Sequence, residues 1–213
     1  LGADDGVVST ASLMIGVAAA SPSRETVLVA GIAGLVAGAL SMAAGEYVSV
    51  SSQRDAEEAD IVREKHELAN DPKGELEELA AIYRQRGLDA PLAIRVAEQL
   101  SAADNRLTVH MREELGLEQS TLARPLQAAL VSAASFALLA LLPIIALLIA
   151  PASMRIAAIA LVSLLSLGLL GALGGRLGGA PMGRASLRVL LGGGAAMMIT
   201  ALIGHLLRVA GIG

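Results

Sequence analysis

The chain has 213 residues, 54% of them hydrophobic and only 17% charged, with a formal net charge of −4 at pH 7. That balance is too apolar for an ordinary soluble protein of this length, so lipid is the expected solvent for much of it. Cysteine is absent, which excludes a disulfide framework, a thiolate metal site and a cysteine nucleophile; any metal site must draw on Asp, Glu, His or Met.

The net charge conceals a segregation: 16 of the 20 acidic residues and 10 of the 16 Lys and Arg fall within residues 53–124. Outside that segment, five stretches are apolar over the roughly 20 residues that a helix needs to cross a bilayer. They are residues 1–20, 26–50, 126–150, 154–173 and 185–207. Helix is imposed on such spans because lipid offers no partner to a backbone N–H or C=O, and the alternating polarity of a membrane barrel is missing. The first span starts at Leu1 without an initiator Met, so preceding residues are expected to be missing; no basic stretch or small-residue cleavage site marks a cleaved signal peptide.

At the start of the first span, Asp4 and Asp5 are costly in lipid unless paired, protonated or facing water. A position at the interface is the plain alternative, stronger for Asp4 than for Asp5. Asp5, Ser9, Ser12 and Gly16 fall at i, i+4, i+7 and i+11, a narrow polar or small stripe of the kind that suits a cation path between helices. Residues 21–25 read as a short turn. In the second span, Gly34, Gly38, Met42 and Glu46 share one face, with Ser41 and Ser49 near it. A lone Met in an apolar helix is ordinarily core, but this one has a carboxylate one turn away. A thioether is a soft, neutral ligand that can hold a transition metal, whereas Mg²⁺ and Ca²⁺ prefer oxygen. Nothing between Met42 and Ala69 breaks a helix, so the second span is expected to run on into the polar segment.

That segment reads as helices over residues 53–69, 75–86, 91–100 and 104–115, separated at Asn70-Asp71-Pro72, at Gly87 with Asp89 as an N-cap, and closed by Gly116. Potential ligands recur at helical spacing: Glu64 and Glu67, Glu75 and Glu78, then His110, Met111 and Glu114. Any one pair also fits a solvated face. Converging together, they would need a divalent cation to offset their repulsion.

The last three spans are broken at Pro151-Ala152-Ser153 and at the glycine-rich residues 174–183. Gly171, Gly175 and Gly179, Gly34 and Gly38, and the Gly192-Gly193-Gly194 run all read as close helix packing. The basic residues of the 53–124 segment, with Arg176, Arg184 and Arg188, put both loops that carry them on the cytoplasmic side, leaving Arg24, Arg155 and Arg208 opposite. Enzymatic readings fare poorly. None of His66, His110 and His205 follows a Glu by three residues, so the Glu-x-x-His pair of di-iron bundles is missing, as is a His-Glu-x-x-His zinc motif. Nucleic acid is not an expected partner of a polar segment that is acidic and carries Tyr83 as its only aromatic residue.

Several stretches taken together resemble the vacuolar iron transporter family: Asp5-Gly6 with Ser12-Leu13-Met14, Ala37-Gly38-Ala39-Leu40-Ser41-Met42 followed by Tyr47, and Glu114-Leu115-Gly116-Leu117. The order of elements is similar too, with two spans, an acidic helical insertion and three spans. The resemblance implies a dimer that exports Fe²⁺, often with Mn²⁺, in exchange for protons. It puts Asp5 and Met42 on a path at the dimer interface and assigns metal binding in the insertion to Glu64, Glu67, Glu75, Glu78 and Glu114, with His110 and Met111 where the family has paired Met ligands. Plant members carry Glu where this chain has Gly34, and Gly where it has Glu46, so the carboxylate is relocated along one face. His110 in place of a Met makes that corner harder and pH-sensitive.

The expected protein is therefore all-α, with five transmembrane helices and a cytoplasmic metal-binding insertion, organised as residues 1–52, 53–124 and 125–213. It is expected to be a homodimeric metal/H⁺ antiporter rather than an enzyme, with a path through Asp5, Ser9, Met42 and Glu46 and no cofactor beyond bound Fe²⁺, Mn²⁺ or, in the insertion, Zn²⁺. Two Lys against fourteen Arg resemble a high-GC bacterial gene, which places it in a bacterial inner membrane. The rival reading is a membrane-anchored metal buffer or sensor.

Overall fold

A computed structural model describes residues 2–21, 23–102, 105–118 and 121–211. Among the described residues eight α-helices follow in chain order: α1 (Gly2–Ala20), α2 (Arg24–Asn70), α3 (Pro72–Gln85), α4 (Ala90–Ser101), α5 (Arg106–Glu113), α6 (Pro125–Ile149), α7 (Arg155–Leu177) and α8 (Met182–Val209), with a 3₁₀ turn at Ala152–Met154. No strand is present among the described residues. Helices α1, α2, α6, α7 (with the turn before it) and α8 are the five long and apolar enough to cross a membrane. The expected positions Leu1, Pro22 and Asp104 lie outside the described residues.

The chain divides into two compact units, Leu1–Glu46 with Leu126–Gly213, and Tyr47–Pro125. The first is built around α1. Val7, Ala11, Met14 and Ile15 of that helix form one buried cluster with Val27, Ile144, Leu147, Ile159, Leu167 and Met197. Glycine makes this proximity possible: a side chain at Gly6 would collide with the backbone of Phe136 in α6, and one at Gly31 would meet the Met14 sulfur at 2.8 Å. With no hydrophobic gain from lipid, such backbone approach is how transmembrane helices gain dispersion energy. Arg24, at the start of α2, donates to the carbonyl of Leu148 at the end of α6, supplying a free helix terminus with a donor.

The start of α3 and the end of α7 differ from expectation for local reasons. Helix α2 runs unbroken to Asn70 as expected, but α3 starts at Pro72, not Glu75. Pro72 occupies the first turn, where its missing N–H costs nothing, and the Asp71 carboxylate accepts from Gly74 N at 3.0 Å. Asp89 caps α4 as expected, accepting from Leu92 N at 2.8 Å. Helix α7 continues past the expected stop at residue 173 to Leu177, because Gly171 and Gly175 let α8 approach. A side chain at Gly171 would sit 2.8 Å from the Cα of Ser186, and one at Gly175 would sit 2.8 Å from Ala185 Cβ. Gly179 is not a packing glycine: with φ +69° and open space around it, it makes the turn after α7. Gly192 likewise meets nothing, whereas Gly193 abuts Leu167.

The second unit has its own core of Leu79, Ala80, Tyr83, Ala93, Ala97 and Val109, drawn from α3, α4 and α5. Glu57, buried on α2, accepts from Gln53 Nε2 at 2.8 Å and from the backbone of Ala123 at 2.9 Å, tying the segment before α6 to α2.

Candidate metal sites in the two units

In the second unit, Glu64 of α2, Glu75 of α3, and His110 and Glu114 of α5 and its C-cap converge so that one ligand atom from each lies within 4.8 Å of the others. His110 is fully buried, and Glu64 and Glu75 are 3% and 8% exposed. His110 Nδ1 stands 2.7 Å from Glu114 Oε1, 3.1 Å from Glu64 Oε1 and 3.6 Å from Glu75 Oε2. Proximity is not hydrogen bonding here. Both ring nitrogens of His110 and one oxygen each of Glu64 and Glu114 are buried with no hydrogen-bond partner among the described residues. Buried polar atoms are normally satisfied, and four donors facing a common centre at these separations suit an ion. Bonds of about 2.0–2.2 Å to a transition metal set its ligand atoms roughly 3 Å apart.

The electrostatics agree. Burial, then the charges of Glu64 and Glu78, push Glu75 up to about 7, and burial, then Glu64, Glu78 and Glu75, push Glu114 up to about 8. Glu64 is also raised, by burial first and by Glu67 next. His110 is lowered by burial and by the charge of Arg106, so it presents the neutral imidazole that metals bind. The neighbouring Glu113 has the opposite fate. Burial pushes it up, but hydrogen bonds from Arg86 and Arg112 outweigh that and leave it below its ordinary value. The guanidinium groups of Arg86 and Arg112 are thus spent on Glu113, and no Lys or Arg ion pair reaches the quartet among the described residues.

These shifts set a pH dependence. Groups whose folded pKa is raised contribute stability below their unfolded value and lose it as pH rises through the folded one, so without metal the second unit is expected to lose stability between about pH 4.5 and 8. Metal must displace those protons. Titrating the full chain with Mn²⁺ in buffers of different ionisation enthalpy is expected to show about one to two protons released per ion at pH 7, with affinity rising toward pH 8. A proton count of zero would mean that the ion avoids Glu75 and Glu114.

Of the other expected ligands, Glu67 and Glu78 are exposed and outside the quartet, acting on it through their charge. Met111 is buried beside His110 in the chain.

In the first unit, a cavity of about 290 Å³ is lined by Asp5, Ser9 and Leu13 of α1, Gly34, Gly38, Ser41 and Met42 of α2, and Phe136 of α6. Asp5 and Ser9, whose spacing suits a cation path, and Met42, which the family resemblance puts on that path, face one space. Asp5 is exposed and is the one acid in the lining among the described residues; Ser9 Oγ donates to the Asp5 carbonyl at 2.5 Å. Glu46, one turn beyond Met42, is half-buried and does not line the cavity. Asp4 is half-buried with one carboxylate oxygen lacking a partner among the described residues. A carboxylate, a thioether and two hydroxyls in an otherwise apolar space can hold a partly dehydrated divalent ion that is soft enough to accept sulfur.

Two lining residues escaped sequence reasoning. Phe136 fills the space that Gly38 leaves, and Leu13 lies against Gly34, whose added Cβ would be 2.7 Å from Leu13 Cδ2. A lone phenylalanine was the available signal for the first. The second is marked only as part of the Ser12-Leu13-Met14 stretch, with nothing to give that leucine a role of its own.

Comparison with known proteins matches residues 1–205 to the model of the VIT family. The chain is 46% identical over 207 residues to a vacuolar iron transporter of Acanthamoeba castellanii, covering 97% of this chain and 76% of that protein. Vacuolar iron transporter homologs 2 and 5 of Oryza sativa subsp. japonica are 40% identical over 202 residues (94% and 84% of the two chains) and 37% identical over 212 (100% and 80%).

Proposed function

The chain belongs to the VIT family, and we propose that it is a homodimeric antiporter that carries Fe²⁺, and with it Mn²⁺, out of the cytoplasm in exchange for protons. The observation that carries this reading is the membrane cavity in which Asp5 and Ser9 meet Ser41 and Met42. A protein that only anchored a metal-binding unit would have no use for a carboxylate and a thioether inside its apolar helices. The names of the relatives, a vacuolar iron transporter in an amoeba and vacuolar iron transporter homologs in rice, support metal as the cargo.

The insertion faces the cytoplasm on the basis of its ten Lys and Arg, and its quartet gathers metal there. The raised carboxylates of that quartet trade protons for metal at neutral pH, and Asp5 is the carboxylate that meets the ion in the membrane cavity. A second copy covers the cavity, which is open along α1 and α2; in support, α2 exposes Val29, Val36 and Leu40 along its membrane-crossing part. Arginine-rich usage supports a bacterial cell membrane as the setting, whereas the names of the relatives carry the vacuole; in either setting the proposed insertion faces the cytoplasm.

Proteoliposomes of the purified chain should take up Fe²⁺ when an opposing pH gradient is imposed, and uptake should fall at least tenfold when an ionophore collapses it. Metal binding without uptake would make the protein a buffer.

A further inference from the structure

Phe136 of α6, the only phenylalanine in the chain, lines the membrane cavity yet is 3% exposed, because a glycine closes on it from each side. Gly6 of α1 lies against its backbone, where an added Cβ would be 3.0 Å from the carbonyl carbon. Gly38 of α2 lies against the far end of its ring, where an added Cβ would collide with Cζ and Cε1 and stand 3.0 Å from Cε2. The phenylalanine therefore spans from the backbone of α6, on which α1 rests, to the backbone of α2.

Asp5 directly precedes Gly6, and Met42 follows Gly38 by one turn. Helices α1 and α2 are antiparallel neighbours that touch where Leu13 lies over Gly34 and Met14 meets Gly31. One turn back along α1 and one turn on along α2 from Leu13 and Gly34, Ser9 is level with Gly38; a second turn brings Asp5 level with Met42. All four line the same cavity. Over Gly38, however, the three nearest side-chain atoms all belong to Phe136, so the ring rather than α1 sets where α2 stands beside the cavity.

We infer that Phe136 is the positioning residue that fixes the separation of Asp5 and Met42, an inference that rests on the transport reading above. The donors to the ion remain the Asp5 carboxylate, the hydroxyls of Ser9 and Ser41 and the Met42 sulfur; Phe136 acts through them. A binding constellation works only when its groups are held to within about 0.5 Å. A planar ring suits that task because it cannot shorten by internal rotation, and a close-packed interior passes a displacement on instead of absorbing it. Gly38 is the other half of the device, since any side chain there would drive the ring or the helix away. Leucine at position 136 would stay apolar but lacks Cζ, Cε1 and Cε2, the atoms that meet Gly38, and would leave α2 free to move in.

The test is Mn²⁺ flux by the full chain in proteoliposomes under an opposing pH gradient, measured over a range of Mn²⁺ concentrations. Phe136→Leu is expected to raise the half-maximal concentration about tenfold, the lower end of what losing a supporting residue costs a metal site, with a smaller effect on maximal flux. Gly38→Ala is expected to do the same from the other side. In the double variant the new methyl takes the space that the outer half of the ring has left, so the half-maximal concentration should return to within about threefold of the parent. A double variant no better than the worse single one overturns the spacer. So does a Phe136→Leu protein whose thermal stability and maximal flux fall while the half-maximal concentration stays at the parent value, which is what simple core filling predicts. Should Phe136→Leu fail to fold, Phe136→Met fills the space with a flexible chain in place of a rigid one; the same rise is expected, and a parent-like value overturns the proposal. A parent that moves no metal under the gradient overturns the transport reading and this inference with it, whereas a transporting parent beside an unshifted Phe136→Leu overturns the spacer alone.

Discussion

Asp5→Asn is expected to lower metal flux on the order of 100-fold, about 2.7 kcal/mol of barrier, while leaving the protein folded and its insertion able to bind metal. Asp5 is the sole acid lining the membrane cavity among the described residues, so it supplies the full negative charge that offsets an ion's dehydration there, and the amide keeps shape but not charge. Met42 tests softness separately. Met42→Leu keeps volume and apolarity, so a loss of about tenfold for Fe²⁺ would follow from the sulfur alone. Parent-like flux in the Leu variant would return Met42 to core packing. Glu46→Gln is expected to change flux less than twofold, because that carboxylate lies outside the cavity lining. Flux assays in proteoliposomes at matched protein density read all three.

The second large effect is in the insertion. Glu114→Gln is expected to weaken Mn²⁺ binding to the full chain on the order of 100-fold, at the upper end of what even the supporting shell of a metal site contributes, while flux at saturating metal falls only a few-fold. The same substitution should make the metal-free protein more stable at pH 8, since it removes a buried carboxyl whose charge Glu64, Glu78 and Glu75 oppose. Lost metal response with gained apo stability is the signature of a site kept for binding rather than for folding. Glu113→Gln, one residue away, should do the reverse and destabilise, because it breaks the pairing with Arg86 and Arg112. Thermal unfolding with and without Mn²⁺ separates the two.

What could be read in the sequence follows from periodicity and from strongly marked residues. Five apolar spans, the unbroken run of α2 and the family were all legible, the last through the motifs around Asp5, Met42 and Glu114. Spacing could pair Glu64 with Glu67 and Glu75 with Glu78, but which member of each pair points inward depends on how α2, α3 and α5 pack. The fold buries Glu64 and Glu75 and exposes the others. The Arg86–Glu113 pair, 27 residues apart, has no local signal at all. The end of α7 was misplaced because glycine punctuates a helix in sequence yet serves close packing in lipid, as Gly171 and Gly175 do. The place of Leu13 in the cavity lining was not legible for a simpler reason: an apolar residue in an apolar helix says nothing of its contacts until its neighbours are known.

Coupled counterflow tests the central claim most directly. In proteoliposomes with an internal pH indicator, clamped at zero voltage and with no initial pH gradient, a jump in Fe²⁺ on the insertion side should move metal away from that side and protons toward it, in a fixed ratio. Asp5→Asn should abolish both movements together. Metal uptake by the parent with no proton movement, or proton movement that survives in Asp5→Asn while metal flux stops, would contradict exchange at that carboxylate.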